Sequence, residues 1–193
     1  ILEVSNVSFN YPETEKGLNK INLDIKKNEI LGLIGSNGSG KTTLAKLILG
    51  LLKPIKGKIK LHGKEIRKYN TKERAKHIGY VTQDPIDMFF EESLIKEVAF
   101  GPKCLGYKNP EEIAKKTLDK LNLLKFKDKH PDSLSVGQKS LLGIGDILAN
   151  NPDIILLDEP EFGLDPINWH KIVNVIKELQ KQGKTIIVIT QDL

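Results

Sequence analysis

A chain of 193 residues is long enough for one large domain, or two small ones, around a sizeable core. No run comes near the roughly 18 uncharged apolar residues of a membrane span. The opening "ILEVSNVSF" has neither the apolar run nor the cleavage site of a signal peptide, so a soluble intracellular protein is expected. The one cysteine, Cys104, excludes a disulfide framework or a cysteine-rich zinc site and reads as an ordinary small apolar residue. The net charge of +5 does not read as nucleic-acid binding. Of 30 basic residues only Arg67 and Arg74 carry the forked guanidinium suited to phosphates and bases. Lysines interspersed with glutamates are a solvated surface, with contact to anionic lipid or a membrane protein left open. Because the sequence starts at Ile1 and stops on a strand, a region trimmed at both ends is expected.

In chain order, "LEVSNVSF" and "INLDIKK" read as short alternating strands joined by the polar turn "YPETEKG". "EILGLIG" is continuously apolar up to Gly35, the pattern of a strand buried on both faces of a parallel sheet. A helix then opens over Gly38 to Lys41, runs through "KTTLAKLILGLL" and is expected to end at Pro54. "GKIKLHGKEI" alternates with period two, and "HIGYVTQ" reads as another core strand. From Pro85 to about Asn150 the composition turns helical. "SLIKEVAFG" comes first, then "NPEEIAKKTLDKLNL" with Pro110 at a helix start and Ile113, Leu118, Leu121 and Leu124 along one side. Strands return in "DIILLDEP" and "TIIVIT". The helix between them has Ile172, Val173, Ile176 and Leu179 on its apolar face and Gly183 as C-terminal cap. No internal repeat is present.

The strongest motif is "GSNGSGKT", Gly35, Ser36, Asn37, Gly38, Ser39, Gly40, Lys41 and Thr42. Glycines let the backbone curl so that successive N–H groups point inward, and the helix that follows turns its positive end to the same place. Lys41 adds a mobile cation for β- and γ-phosphates, and Thr42 a hydroxyl for Mg²⁺. Asp158 and Glu159 follow the apolar run Ile154 to Leu157, at the strand end where open α/β sheets bind ligands. Asp158 is suited to the metal's water shell and Glu159 to polarising the water that attacks the γ-phosphate. Ser135 and Gln138 form an S-x-x-Q capping box, and so a helix N-terminus with free N–H groups.

Taken together these stretches resemble the ATP-binding cassette (ABC) ATPases over essentially the whole chain. "LSVGQ", Leu134, Ser135, Val136, Gly137 and Gln138, is similar to that family's LSGGQ signature and lies 20 residues before Asp158. The resemblance implies an α/β P-loop core with a mixed, mainly parallel sheet, an N-terminal antiparallel β subdomain and an inserted α-helical subdomain. Residues 1–193 are then a single domain, truncated at its C-terminus. Segments 1–84 and 151–193 form the nucleotide-binding core, and 85–150 the helical subdomain with the signature. It further implies ATP and Mg²⁺ as ligands, Tyr11 as the aromatic that stacks on adenine, and Thr43 beside the phosphates. Gln83 would touch Mg²⁺ and the attacking water. The signature would bind the ATP held by a second subunit of a head-to-tail dimer, which Leu164 and Asp165 also meet. The stretch "QDPIDMFFEESLIKEVAFGPKCLG" is similar to the insert of energy-coupling-factor importers of cobalt, nickel and vitamins.

Three departures stand out. Val136 replaces the second signature glycine, Lys139, Ser140 and Leu141 follow where an arginine is usual, and Gln191 stands in the T-H-D context of the family's switch histidine. A glutamine amide can donate and accept but cannot take a proton. The resemblance implies a peripheral subunit on the cytoplasmic face of the membrane. It would be paired with a second ATPase, a heterodimer being favoured, and with an integral coupling subunit, while a separate membrane component selects substrate. A dimerising regulatory module with little turnover, and a soluble non-transport ABC ATPase, are the alternatives.

Overall fold

The computed structural model describes residues 1–12, 17–84 and 88–191, so the turn at 13–16, the start of the helical stretch at 85–87, and Asp192 with Leu193 lie outside the described residues. Two four-stranded sheets form the frame. Strands β1 (Leu2–Asn10), β2 (Gly17–Ile25), β4 (Lys56–Leu61) and β5 (Lys64–Glu65) make an antiparallel sheet in the order β2-β1-β4-β5. Strands β3 (Ile30–Ile34), β6 (Ile78–Val81), β7 (Ile154–Asp158) and β8 (Thr185–Thr190) make a parallel sheet in the order β3-β8-β7-β6.

The continuous apolar run of β7 is explained by its position inside this sheet. Ile154 and Leu156 pack on one face with Leu2, Val4, Leu44, Ile48 and Ile187, while Ile155 and Leu157 pack on the other with Val81, Ile144, Ile172 and Ile176. Both faces are covered, so every β7 side chain is removed from water, worth roughly 1.5–3 kcal/mol for each large aliphatic.

Strand β3 departs from expectation. It pairs with β8 alone among the described residues, and Ile30 and Ile34 remain 39% and 50% exposed. Leu31 and Leu33 pack against the core while Ile30, Gly32 and Ile34 point away from it, so one face of the strand is covered and not both.

Helix α1 (Lys41–Ile48) ends earlier than Pro54, at Gly50, whose φ of +69° permits a Schellman closure. The Gly50 N–H donates to Leu47 O at 3.0 Å and the Leu51 N–H to Lys46 O at 2.9 Å. The alternating "GKIKLHGKEI" is two strands, because His62 and Gly63 both adopt positive φ, +49° and +75°, and reverse the chain between β4 and β5. A helix that sequence pattern did not reveal, α2 (Thr71–His77), precedes β6. It buries no residue fully and is started by a reciprocal Asn70/Glu73 capping box.

The helical stretch contains α3 (Leu94–Leu105), which continues past Pro102 to Gly106, α4 (Pro110–Lys120) and α5 (Val136–Leu148). These pack around Leu94, Val98, Leu118, Leu121 and Leu142, whereas Ile113 and Leu124 are only partly buried. Helix α6 (Pro166–Lys181) covers the second face of the parallel sheet with Ile172, Ile176 and Leu179 and is closed by Gly183 at φ +86°. Among the described residues no helix is long and apolar enough to cross a membrane.

Candidate functional site

The carboxyl ends of β3, β7 and β8 converge because the three strands are parallel neighbours, with Ile34 opposite Thr190 and Asp158 opposite Ile189. The glycine loop leaves β3 and enters α1. Gly38 and Gly40 sit at φ +78° and +96°, and a Cβ on Gly40 would lie 2.5 Å from Leu18 Cδ2, so both conformation and space demand glycine there. Lys41 Nζ is held against the loop, donating to Gly35 O at 2.5 Å and Ser36 O at 3.2 Å.

Thr42 and the β7 carboxylate meet directly, Thr42 Oγ1 donating to Asp158 Oδ2 at 3.2 Å. A residue missed in the sequence joins them. Tyr80, from β6, donates its hydroxyl to the same oxygen at 2.9 Å, and burial followed by the Asp158 charge raises the phenol's pKa well above its ordinary value. Its signal was hidden in the run "IGYV", where a tyrosine reads as packing.

Glu159 turns out of β7 with φ +47°, a left-handed conformation uncommon outside glycine and asparagine. Its backbone N–H donates to Ile189 O at 2.8 Å, and its Oε1 accepts from Gln191 Nε2 at 2.8 Å. Thr190 beside it donates its hydroxyl to Glu161 Oε1.

A cleft of about 640 Å³ gathers Tyr11, Asn37 to Thr43, Gln83 and Glu159 in its walls, together with Pro12 and Gly17, which the sequence reading did not single out. The Tyr11 ring stands edge-on to Phe9, with centroids 5.0 Å apart, and its hydroxyl lies 3.3 Å from Thr43 Oγ1. Gly35 and Ser36 enter the site through Lys41, Asp158 through Thr42, and Gln191 through Glu159.

Leu134 to Gln138 are absent from the walls of this cleft. They begin α5, where Ser135 Oγ accepts from Gln138 N at 3.4 Å and Gln138 Oε1 accepts from Ser135 N at 3.0 Å. Val136 is 52% exposed at the helix start, and the loop at Gly163 comes close to it. Asp165 caps α6 by accepting from Asn168 N at 2.8 Å, and Leu164 is partly buried against the α6 core. A Cβ on Gly137 would lie 2.7 Å from Asn168 Cγ, so the starts of α5 and α6 abut.

A glycine loop between a parallel strand and a helix, with a carboxylate pair at the end of a neighbouring strand, defines a P-loop nucleotide-binding fold. The model for the family described as ABC transporter matches residues 18–161. An energy-coupling factor transporter ATP-binding protein, EcfA of Methanocaldococcus jannaschii, is 40% identical over 198 residues, covering 100% of this chain and 71% of the relative. Among solved structures, CbiO1 of Clostridium perfringens, part of the transporter complex CbiONQ, superposes with a TM-score of 0.87 at 36% identity, covering 100% of this chain and 78% of the other. The ATP-binding cassette MJ0796, in a dimeric post-hydrolysis state bound to ADP and Pi, gives 0.88 at 30% identity, covering 100% and 88%. The chain belongs to the ABC transporter family, and its fold is that of the family's ATPase domains.

Proposed function

We propose that this chain binds ATP with Mg²⁺ in the cleft and hydrolyses it as one ATPase subunit of a membrane importer. The proposed type is the energy-coupling factor, carrying a vitamin or transition-metal ion. The observation that carries the reading is the meeting of three strand ends, with Lys41 and Thr42 after β3, Asp158 and Glu159 after β7, and Gln191 after β8, around one cleft. Thr42 Oγ1 and Asp158 Oδ2 are adjacent oxygen donors, the ligand chemistry that suits Mg²⁺, with Gln83 in the same cleft as a third oxygen. When bound, the ion would draw charge from the transferring phosphoryl group.

In this reading Lys41 neutralises the β- and γ-phosphates, the loop N–H groups hold their oxygens, and Tyr11 stacks on the base. Glu159 takes the proton of the attacking water, and Gln191 orients the carboxylate without itself accepting a proton. The domain reading, with 1–84 and 151–193 as nucleotide-binding core and 85–150 as helical subdomain, belongs to the same proposal.

Leu134 to Gln138 then act in trans on the ATP of a second subunit, with Leu164 and Asp165 at the joint. Their absence from the cleft of their own chain, and the dimeric relative bound to ADP and Pi, support this. The relatives named EcfA and CbiO1 support an energy-coupling-factor transporter and association with further subunits. A peripheral place on the cytoplasmic face of the membrane and an integral coupling subunit docked near Gln83 and the helical stretch belong to the same proposal. Gln191 and Val136 favour a heterodimer in which the partner subunit retains the histidine.

Phosphate release from Mg-ATP by wild type and Glu159→Gln tests the reading. Loss of general-base catalysis is expected to lower turnover at least about 100-fold. Equal rates would make the chain a nucleotide-dependent binding module.

A further inference from the structure

Far from the nucleotide cleft, three side chains from three separate elements converge. His62 lies in the β4–β5 turn, His77 is the last residue of α2, and Asp153 precedes β7. His62 Nε2 is 3.1 Å and His77 Nδ1 2.7 Å from the same oxygen, Asp153 Oδ2, and the three ligand atoms all lie within 4.8 Å of one another. We propose that His62, His77 and Asp153 form a binding site for a divalent transition-metal ion, with zinc the best chemical fit.

Two imidazoles and one carboxylate are a borderline donor set. They suit zinc, nickel or copper far better than magnesium or calcium, which take oxygen ligands. Zinc bonds of about 2.0–2.1 Å in a tetrahedron hold their ligand atoms about 3.3 Å apart, so the observed separations need to open by only a few tenths of an ångström on either side of Asp153. Three protein ligands leave one position for water or a partner's side chain. Solvent reaches it, since the side chains of His62, His77 and Asp153 are 40%, 34% and 44% exposed.

The donors are also held in place by backbone, the usual requirement for affinity. His62 N donates to Ile1 O at 2.9 Å. Asp153 N donates to His77 O and Asp153 O accepts from Thr185 N, both at 3.0 Å. The Tyr69 ring stands edge-on to His77 at 5.7 Å, and the His62 and His77 rings are 5.1 Å apart. Lys184 has its ammonium engaged by Asn151 and Pro152 and still opposes a metal at Asp153, which sets the expected affinity below that of a four-ligand structural site.

Asp153 is at the amino end of β7 and Asp158 at its carboxyl end, roughly 16 Å away at about 3.3 Å per residue, so an ion here is separate from the one held with the nucleotide. It would fasten the antiparallel sheet to the parallel one. Binding the folded state only, it would also favour folding about 100-fold at a free concentration 100 times its Kd.

The test titrates the nucleotide-free, chelator-treated protein with Zn²⁺ alone by calorimetry and thermal unfolding, and records the visible spectrum with Co²⁺. One ion per chain, a raised unfolding midpoint and a four- or five-coordinate cobalt spectrum are expected for wild type. His62→Gln and Asp153→Asn, each checked for a native circular dichroism spectrum, should weaken binding at least about 10-fold. His62→Gln lies on an exposed turn and keeps the test open if Asp153→Asn does not fold. No binding to wild type, unchanged affinity in His62→Gln, or equal stabilisation by Mg²⁺ would overturn the proposal.

Discussion

Gln191 Nε2 donates to Glu159 Oε1 across 2.8 Å, fixing the carboxylate at the end of β7 against the residue that leaves β8. The amide holds its partner in a single orientation, yet it has no proton to give up or take near neutral pH. Replacing it by alanine is expected to lower phosphate release about 5-fold, one hydrogen bond of about 1 kcal/mol. Gln191→His should add to the pH–rate profile an inflection near the imidazole range of about 6.5, which wild type lacks. Profiles of the two proteins between pH 5.5 and 8.5 decide it. Robust turnover unaffected by Gln191→Ala would remove Gln191 from the mechanism.

Tyr80→Phe keeps the ring and removes one donor from Asp158 Oδ2, leaving Thr42 as its side-chain donor among the described residues. A hydrogen bond to a charged group contributes about 1.5–3 kcal/mol. Thermal unfolding should report a loss toward the lower figure, and phosphate release should need more Mg²⁺ to saturate.

Asp146 on α5 has Oδ1 enclosed and, among the described residues, without a hydrogen-bond partner, and its burial, then the nearby charge of Glu97, raise its pKa well above the ordinary carboxylate value. Glu97 is raised in the same direction, chiefly by burial. Above about pH 4 an unfolded chain has released these protons while the folded chain retains them, so stability falls as pH rises through that window. Asp146→Asn should raise the unfolding midpoint at pH 8, by about 2–4 °C for each kcal/mol, with the gain shrinking towards pH 4. A gain independent of pH would contradict the assignment.

Val136 presents a branched side chain where α5 exposes its first N–H groups. If Glu159 acts as proposed, Glu159→Gln slows loss of bound ATP, and in that background Val136→Gly is expected to increase the ATP-dependent dimer seen by light scattering. Gly137→Ala is expected to destabilise the monomer by about 1–3 kcal/mol through its clash with Asn168.

Much of this was legible because its signals are local. The glycine loop, the apolar run into Asp158 and Glu159, and the S-x-x-Q cap each occupy fewer than ten consecutive residues. What stayed hidden depends on distance or on tertiary context. Helix α2 buries no residue fully and so has no apolar period to read; only Asn70 and Glu73 marked its start. Tyr80 became part of the site only because β6 lies beside β7, and His62 meets Asp153 across 91 positions. Pro54 is the louder stop signal after α1, but a left-handed Gly50 closes the helix first. The exposure of Ile30 and Ile34 follows from what packs on each face of β3, which no single stretch encodes.

That strand order has a mechanical result. With β3 on one flank and β7 on the other, β8 is the spacer that sets the gap between the glycine loop after β3 and the carboxylates after β7. Trimming one methyl from Ile187, fully buried in mid-strand, would cost only about 0.5–1.5 kcal/mol of folding energy. A slip of a fraction of an ångström in β8 would nevertheless misalign both halves of the site at once, so damage there would surface as lost turnover well before it surfaced as lost structure.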